Sequence, residues 1–227
     1  MQKKQKYYEA YDLRYRQVHN EKLQWSSRLP TPIVSEVIDQ FRIPDDGRLL
    51  EIGCGEGRDA ASLLDRGYDL LATDVSREAI EYCRRMSPEY AGHYRVLDCL
   101  KDQLEDRYDY IFAVAVIHML VPDADRDGFC RFIRNHLKDS GIGLICSMGD
   151  GTMERSSDIT EAYKSAARVH AESGRMLYLA GTSCRMVSFD TFLKELERNG
   201  LSVIRHGLTS CEPDFSVMMY AVVKRKS

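Results

Sequence analysis

The run LLEIGCGEGRD at 49–59 sets glycines at alternate positions, directly after an apolar stretch and directly before a helical one. Glycine reaches positive φ and lets a ligand approach the main chain closely. A strand that feeds such a loop, and a loop that opens a helix, aim backbone N–H groups into the crevice where open α/β sheets bind ligands. Asp74 ends the next apolar run, 69–73, where a carboxylate can accept hydrogen bonds from both hydroxyls of a ribose. The spacing is G-x-G-x-G, not the G-x-G-x-x-G of dinucleotide folds, which speaks against a nicotinamide-dependent dehydrogenase. A tight turn beside a solvent-exposed aspartate is the plainer alternative. The coincidence of strand, loop, helix start and acid argues against it.

Further residues carry chemistry by type and place. His118 follows the apolar run YDYIFAVAVIHML, and an ordinary imidazole titrates near neutrality. It reads either as a general base or as a histidine packed beside Met119 and Leu120. Arg58, in a first helical turn, opposes the helix dipole and calls for an anion: a ligand carboxylate, Glu51 or Asp59. Tyr8, Tyr11, Tyr15 and Val18 fall on one helical face. They either cover a pocket, with Tyr11 the leading catalytic candidate and Tyr15 and Trp25 against a substrate, or pack the helix on a sheet. Between 148 and 187, Arg155, Arg168, His170, Arg175 and Arg185 are offset by Asp150, Glu154, Asp158, Glu161 and Glu172. That balance makes no basic funnel for nucleic acid. Arg185 is the candidate there for an anionic substrate group.

The elements that must position these residues alternate. Strands are expected at 48–52, 69–73, 94–97, 108–114 and 143–147, and helices at 58–66, 77–86 and 124–137, with Ser76 capping the second. This order predicts a parallel sheet with helices on both faces. A helix over 189–199 precedes runs at 201–206 and 216–224 with no helix between them, an antiparallel pair. The expected fold is α/β: a doubly wound, seven-stranded, mostly parallel sheet closed by an antiparallel C-terminal hairpin. All 227 residues read as a single domain, with 1–41 as a helical cap and 148–187 as a lid insertion. Within the lid, Asp158 and Glu161 look like a capping pair ahead of a helical stripe of Ile159, Ala162, Tyr163, Ala166 and His170.

With the residues in that order, the sequence resembles the class I S-adenosylmethionine (SAM)-dependent methyltransferases. LLEIGCGEG, Asp74 in LLATDVS, Asp98 in YRVLDCL and the run YDYIFAVAVIHML carry the resemblance. The extended GCGEGRD is similar to the small-molecule branch that includes tellurite-resistance and thiopurine-type enzymes. The resemblance implies SAM as cofactor, with Glu51, Gly53, Cys54 and Gly55 along its methionine moiety and Ala113 nearby. It also implies Asp74 on the ribose, Val75 against the adenine, Asp98 on the adenine amino group and Cys99 beside the ring. Arg58 would then meet the cofactor carboxylate. The implied activity is methyl transfer to a small molecule, leaving S-adenosylhomocysteine (SAH). Alternatives are a SAM-binding sensor or partner subunit without catalysis, and an aminopropyltransferase-like enzyme on the same fold.

Composition fits this picture. With 44% hydrophobic and 30% charged residues, a chain of this length has material for a core, which excludes disorder. A formal charge of −3 offers no general field for a phosphate backbone. No apolar run approaches a membrane span, and no signal sequence follows the basic start, so the expected setting is the cytoplasm. The seven cysteines are scattered without zinc spacing, so neither a metal site nor a disulfide framework is expected. The apolar edge run 217–223 could pair between subunits or be covered, which leaves the oligomeric state open.

Overall fold

The computed structural model describes residues 6–170 and 172–226, so residues 1–5 of the expected cap lie outside the described residues. A 3-10 turn at Tyr7–Glu9 continues into α1 (Ala10–Asn20), and a proline at the first helical position starts α2 (Pro32–Phe41). Strand and helix then alternate: β1 (Arg48–Ile52), α3 (Arg58–Asp65), β2 (Asp69–Asp74) and α4 (Arg77–Met86). β3 (Tyr94–Val96), β4 (Tyr108–Val114), α5 (Asp123–His136) and β5 (Leu137–Met148) follow. Ser76 caps α4 as expected, its Oγ accepting from Ala79 N at 3.1 Å.

The insertion contains β6 (Arg155–Ser156), β7 (Ser165–Val169), β8 (Met176–Ala180) and β9 (Arg185–Met186). Helix α6 (Phe189–Arg198) then leads into β10 (Leu201–Cys211) and β11 (Phe215–Arg225). The main sheet runs β10-β11-β5-β4-β1-β2-β3. Neighbours from β5 to β3 are parallel, and β11 lies antiparallel to both β5 and β10. This is the doubly wound, seven-stranded sheet with its closing hairpin.

Strand alternation builds a core on each face. Leu49, Tyr110, Phe112 and Leu144 join α2 and α3 through Val37, Ile38, Leu63 and Leu64 on one side. Leu50, Ile111, Ala113 and Ile145 join α5 and α6 through Phe129, Ile133, Phe192 and Leu196 on the other.

The lid departs from its expected form. Asp158 does cap a turn, accepting from Thr160 N at 2.8 Å, but only Ile159–Glu161 is helical. Tyr163 takes φ 72°, and the chain turns away into the β7–β8 hairpin. Leu177 and Leu179 of that hairpin pack on Val18 of α1, so burial against the cap outweighs the helical stripe.

Two polar clusters hold these layers in register. Arg126 on α5 is fully buried; its Nε and Nη2 donate to the Glu195 carboxylate on α6 at 2.6–3.0 Å. Its Nη1 donates to the carbonyls of Ile117 at 2.8 Å and Leu120 at 3.2 Å, fixing the turn after β4. In the cap, His19 lies between two carboxylates, with Nε2 2.9 Å from Glu56 and Nδ1 2.8 Å from Glu78.

Removing one partner of a buried ion pair costs about 3–5 kcal/mol. Glu195→Ala should therefore lower unfolding stability by about that amount in a urea titration, while Arg126→Met with Glu195→Leu should lose much less; equal losses would show that the charge pairing is not what matters. The two carboxylates raise the His19 pKa against the opposing effect of burial. The stability this contributes is present below the ordinary histidine value of about 6.5 and is lost as pH rises through the raised one. Melting temperature should fall with pH above that point in the native protein and fall less in His19→Gln; parallel slopes would sink this assignment.

Candidate functional site

At the carboxyl ends of β1, β2 and β4, the glycine loop, the cap and the insertion enclose a cavity of about 530 Å³. Ligand sites of this fold lie at these strand ends, and the volume is in the usual range for a small-molecule site. Gly53, Gly55 and Gly57 take φ of 75°, 54° and 81°, the left-handed conformation that the alternating glycines foretold. At Gly53 a side chain would also be excluded sterically, because a Cβ would lie 2.4 Å from Val116 Cγ2.

The structure brings most of the candidate residues together. Glu51, Gly53, Cys54, Gly55, Arg58, Asp74, Val75, Asp98 and Cys99 line the cavity, as do Tyr11, Tyr15, Trp25 and His118. Asp74 accepts from Gly55 N at 2.9 Å and Ser76 N at 2.8 Å, so it also shapes the loop it faces. Burial pushes its carboxyl up to about 6 despite those hydrogen bonds. Glu51 is held well above the usual carboxylate range, by burial first and Asp59 next, with Arg58 opposing. Its buried Oε2 has no hydrogen-bond partner among the described residues. Asp98 is already engaged: Oδ2 receives Tyr8 OH at 3.0 Å and Lys101 Nζ at 2.5 Å, and Oδ1 receives Leu100 N at 3.0 Å.

Other placements correct the expectations. Ala113 is fully buried in the α5–α6 core and does not line the cavity; Val114, Ala115 and Val116 provide that part of the wall. Arg185 also stands outside the wall, donating to Val121 O at 2.8 Å and to Asp123 at 2.6 Å, and so holds the start of α5. Arg58 does pair with Asp59, one of the anions expected for it, at 3.8 Å, and it finds a second, unexpected partner in Asp214 from the β10–β11 turn. His118 does not titrate near neutrality. Burial, aided by Arg126, lowers its pKa to about 4, and its Nδ1 is unpartnered among the described residues. Tyr11 is hydrogen-bonded to Thr182, and burial raises its phenol above the ordinary value, so both side chains are neutral at pH 7.

Residues not expected from the sequence to have a direct role in the site complete it. Glu56 accepts from Trp25 N, Ser26 N and Ser26 Oγ at 2.8–2.9 Å as well as facing His19, and so ties the cap to the glycine loop. Asp59 does the same for the entry to α2, accepting from Thr31 N at 2.6 Å and Thr31 Oγ1 at 2.9 Å. Arg14 also lines the cavity. The acids of the GEGRD run were visible in the sequence, but their partners lie on segments whose folding over the loop no local pattern announces.

Residues 50–142 match the family profile described as a methyltransferase domain. Among curated proteins, the chain is 34% identical over 92 residues to the magnesium-protoporphyrin O-methyltransferase of Rhodobacter capsulatus, covering 37% of this chain and 41% of that one. It is 24% identical over 117 residues to a probable SAM-dependent methyltransferase TehB of Haemophilus influenzae, covering 50% of this chain and 39% of that protein. The chain thus spans about two fifths of the length of these curated relatives. Among solved structures, the Burkholderia thailandensis 1,6-didemethyltoxoflavin-N1-methyltransferase, with its namesake substrate and SAH bound, superposes with a TM-score of 0.66 at 16% identity. That match covers 96% of this chain and 89% of the other. Residues 50–142 thus resemble a methyltransferase domain, and the chain shares its fold with the Burkholderia thailandensis enzyme.

Proposed function

We propose that the protein binds SAM and transfers its methyl group to a small-molecule acceptor. The observation that carries this reading is the buried, unpartnered Oε2 of Glu51 in the same cavity wall as Asp74 and the glycine loop. An unsatisfied buried carboxyl oxygen is costly unless a ligand donor meets it, and the ammonium of a methionine moiety is such a donor. Asp74 would accept from the ribose hydroxyls, Val75 and Cys99 would pack beside the adenine, and Asp98 would meet its amino group. SAM, when bound, supplies a methyl group already activated on a sulfonium.

The chain's own residues would then bind, orient and exclude water. The cap, through Tyr8, Tyr11, Tyr15 and Trp25, and the lid, through Arg168, Val169 and His170, contribute to the cavity wall. His118 and Tyr11, both neutral, suit hydrogen bonding to an acceptor better than proton removal from it. No described helix is long and apolar enough to cross a membrane. The isolated bound substrate of the toxoflavin relative supports an acceptor of small-molecule size.

Calorimetric titration with SAH tests the cofactor assignment. Hydrogen bonds to a charged group contribute about 1.5–3 kcal/mol, so Asp74→Asn should weaken SAH binding about tenfold or more. Because the Asp74 carboxyl titrates at about 6, and only the ionised form accepts from both hydroxyls, affinity should weaken as pH falls through that value. In Asp74→Asn this component of the pH dependence should vanish. Unchanged affinity in the variant would discard the ribose assignment. Radiolabelled SAM with a metabolite mixture then tests turnover: transferred label supports the enzyme, and tight SAH binding without transfer would point to a sensor.

A further inference from the structure

The cavity wall is acidic where the glycine loop forms it. Glu51, Asp59, Asp74, Asp98 and Asp214 all contribute there, and the arginine among them, Arg58, is paired with Asp214 and Asp59. Two other arginines reach the wall from the cap and the lid, Arg14 on α1 and Arg168 on β7. Among the described residues, neither forms an ion pair with an acid.

Arg14 is only 6% exposed. Its Nε and Nη2 donate to Ala180 O at 3.1 and 2.8 Å, and its guanidinium lies 4.8 Å from the Trp25 ring centroid and 5.4 Å from that of Tyr11. One carbonyl and two ring faces offset part of the desolvation of a buried cation, but they do not neutralise it. Arg168 pairs across the hairpin with Leu177, which packs toward Val18 of α1. Residues directly opposite in an antiparallel pair share a face, so Arg168 stands on the α1 side of the hairpin. Its charge acts unfavourably on that of Arg14. Like charges gathered in a partly enclosed wall without an acid form an anion-binding arrangement, and guanidinium forks match carboxylate and phosphate oxygens.

We propose that Arg14 and Arg168 anchor an oxyanion, a carboxylate or phosphate, carried by the methyl acceptor, whose planar apolar body packs against Trp25 and Tyr11. The substrate class is then aromatic acids or aryl phosphates rather than neutral or cationic molecules. That this anion belongs to a methyl acceptor rests on the methyltransferase reading; the anion site itself stands on the two arginines.

The test is a set of thermal melts of the full chain, with and without saturating SAH. The probes are indole-3-acetate against indole-3-acetamide and phenyl phosphate against phenol, since a ligand of the native state raises the melting temperature. At least one anion should raise the midpoint more than its neutral counterpart. The difference should disappear in Arg14→Gln and in Arg168→Gln, while the shift with SAH persists. Arg168 is exposed, so its variant decides the matter if Arg14→Gln does not fold.

Equal shifts from anions and neutral counterparts overturn the proposal, as does an anion shift that survives in Arg168→Gln. Decarboxylated SAH distinguishes the remaining source of a carboxylate. If the variants lose the SAH shift but keep that of the decarboxylated analogue, the arginines hold the cofactor's carboxylate and the acceptor assignment falls. If SAH gives no shift with native protein, the methyltransferase reading fails, while the anion comparisons without SAH still decide the arginine site.

Discussion

The cavity depends on one carboxylate. Glu56 sits within the glycine loop and collects donors from Trp25 N, Ser26 N and Ser26 Oγ, with His19 Nε2 on the same carboxylate. Trp25 and Ser26 belong to the segment joining α1 to α2, and His19 lies near the end of α1 itself. A buried acid with this many donors has its desolvation offset by charge-assisted hydrogen bonds, and the donors lose their backbone orphan status in the same contact. The loop that shapes the floor of the site therefore also fixes its roof. Tyr15 shows how close the two come: a Cβ on Gly55 would lie 2.7 Å from its hydroxyl oxygen.

The floor is rigid for a different reason. Parallel strands buried on both faces leave the chain no freedom at their carboxyl ends except in the loops. The close approach of Val116 to Gly53 locks the loops after β1 and β4 together. Arg126 extends that lock by binding the carbonyls of the turn that carries His118 while its other nitrogens hold α6 through Glu195. Site and core are thus continuous. The side chain that orients the wall of the cavity is itself a member of the buried interface between α5 and α6.

The sheet was legible in the sequence because its strands and helices carry local periods, and Ser76 and Ser188 mark the starts of α4 and α6 by capping them. The glycine loop was legible because positive φ demands glycine locally. Partner choice was not. Arg58 and Asp214 are 156 residues apart, and Arg126 and Glu195 are 69 apart, distances over which local patterning says nothing. Ala113 was misplaced by the alternation of a strand: its neighbour Val114 reaches the cavity, while Ala113 points into the opposite core. In the lid, the apolar residues satisfied a helical spacing, but the free energy of packing Leu177 and Leu179 on α1 decided for a hairpin.

Burial also narrows the chemistry on the proposed reading. It lowers the imidazole of His118 and raises the phenols of Tyr11 and Tyr15, which in each case favours the neutral form. An imidazole and phenols held neutral in this way cannot take a proton from a hydroxyl efficiently at neutral pH, because proton transfer to so weak a base is uphill. The acids raised by burial, Glu51 and Asp74, are tied by their positions to ligand binding and loop geometry. What this site does offer is partial enclosure: walls from the cap and the insertion over a floor held in register by the sheet. Enclosure accelerates a displacement by fixing the approach of the reacting atoms, and it favours an acceptor whose nucleophilic atom already carries a free lone pair when it enters.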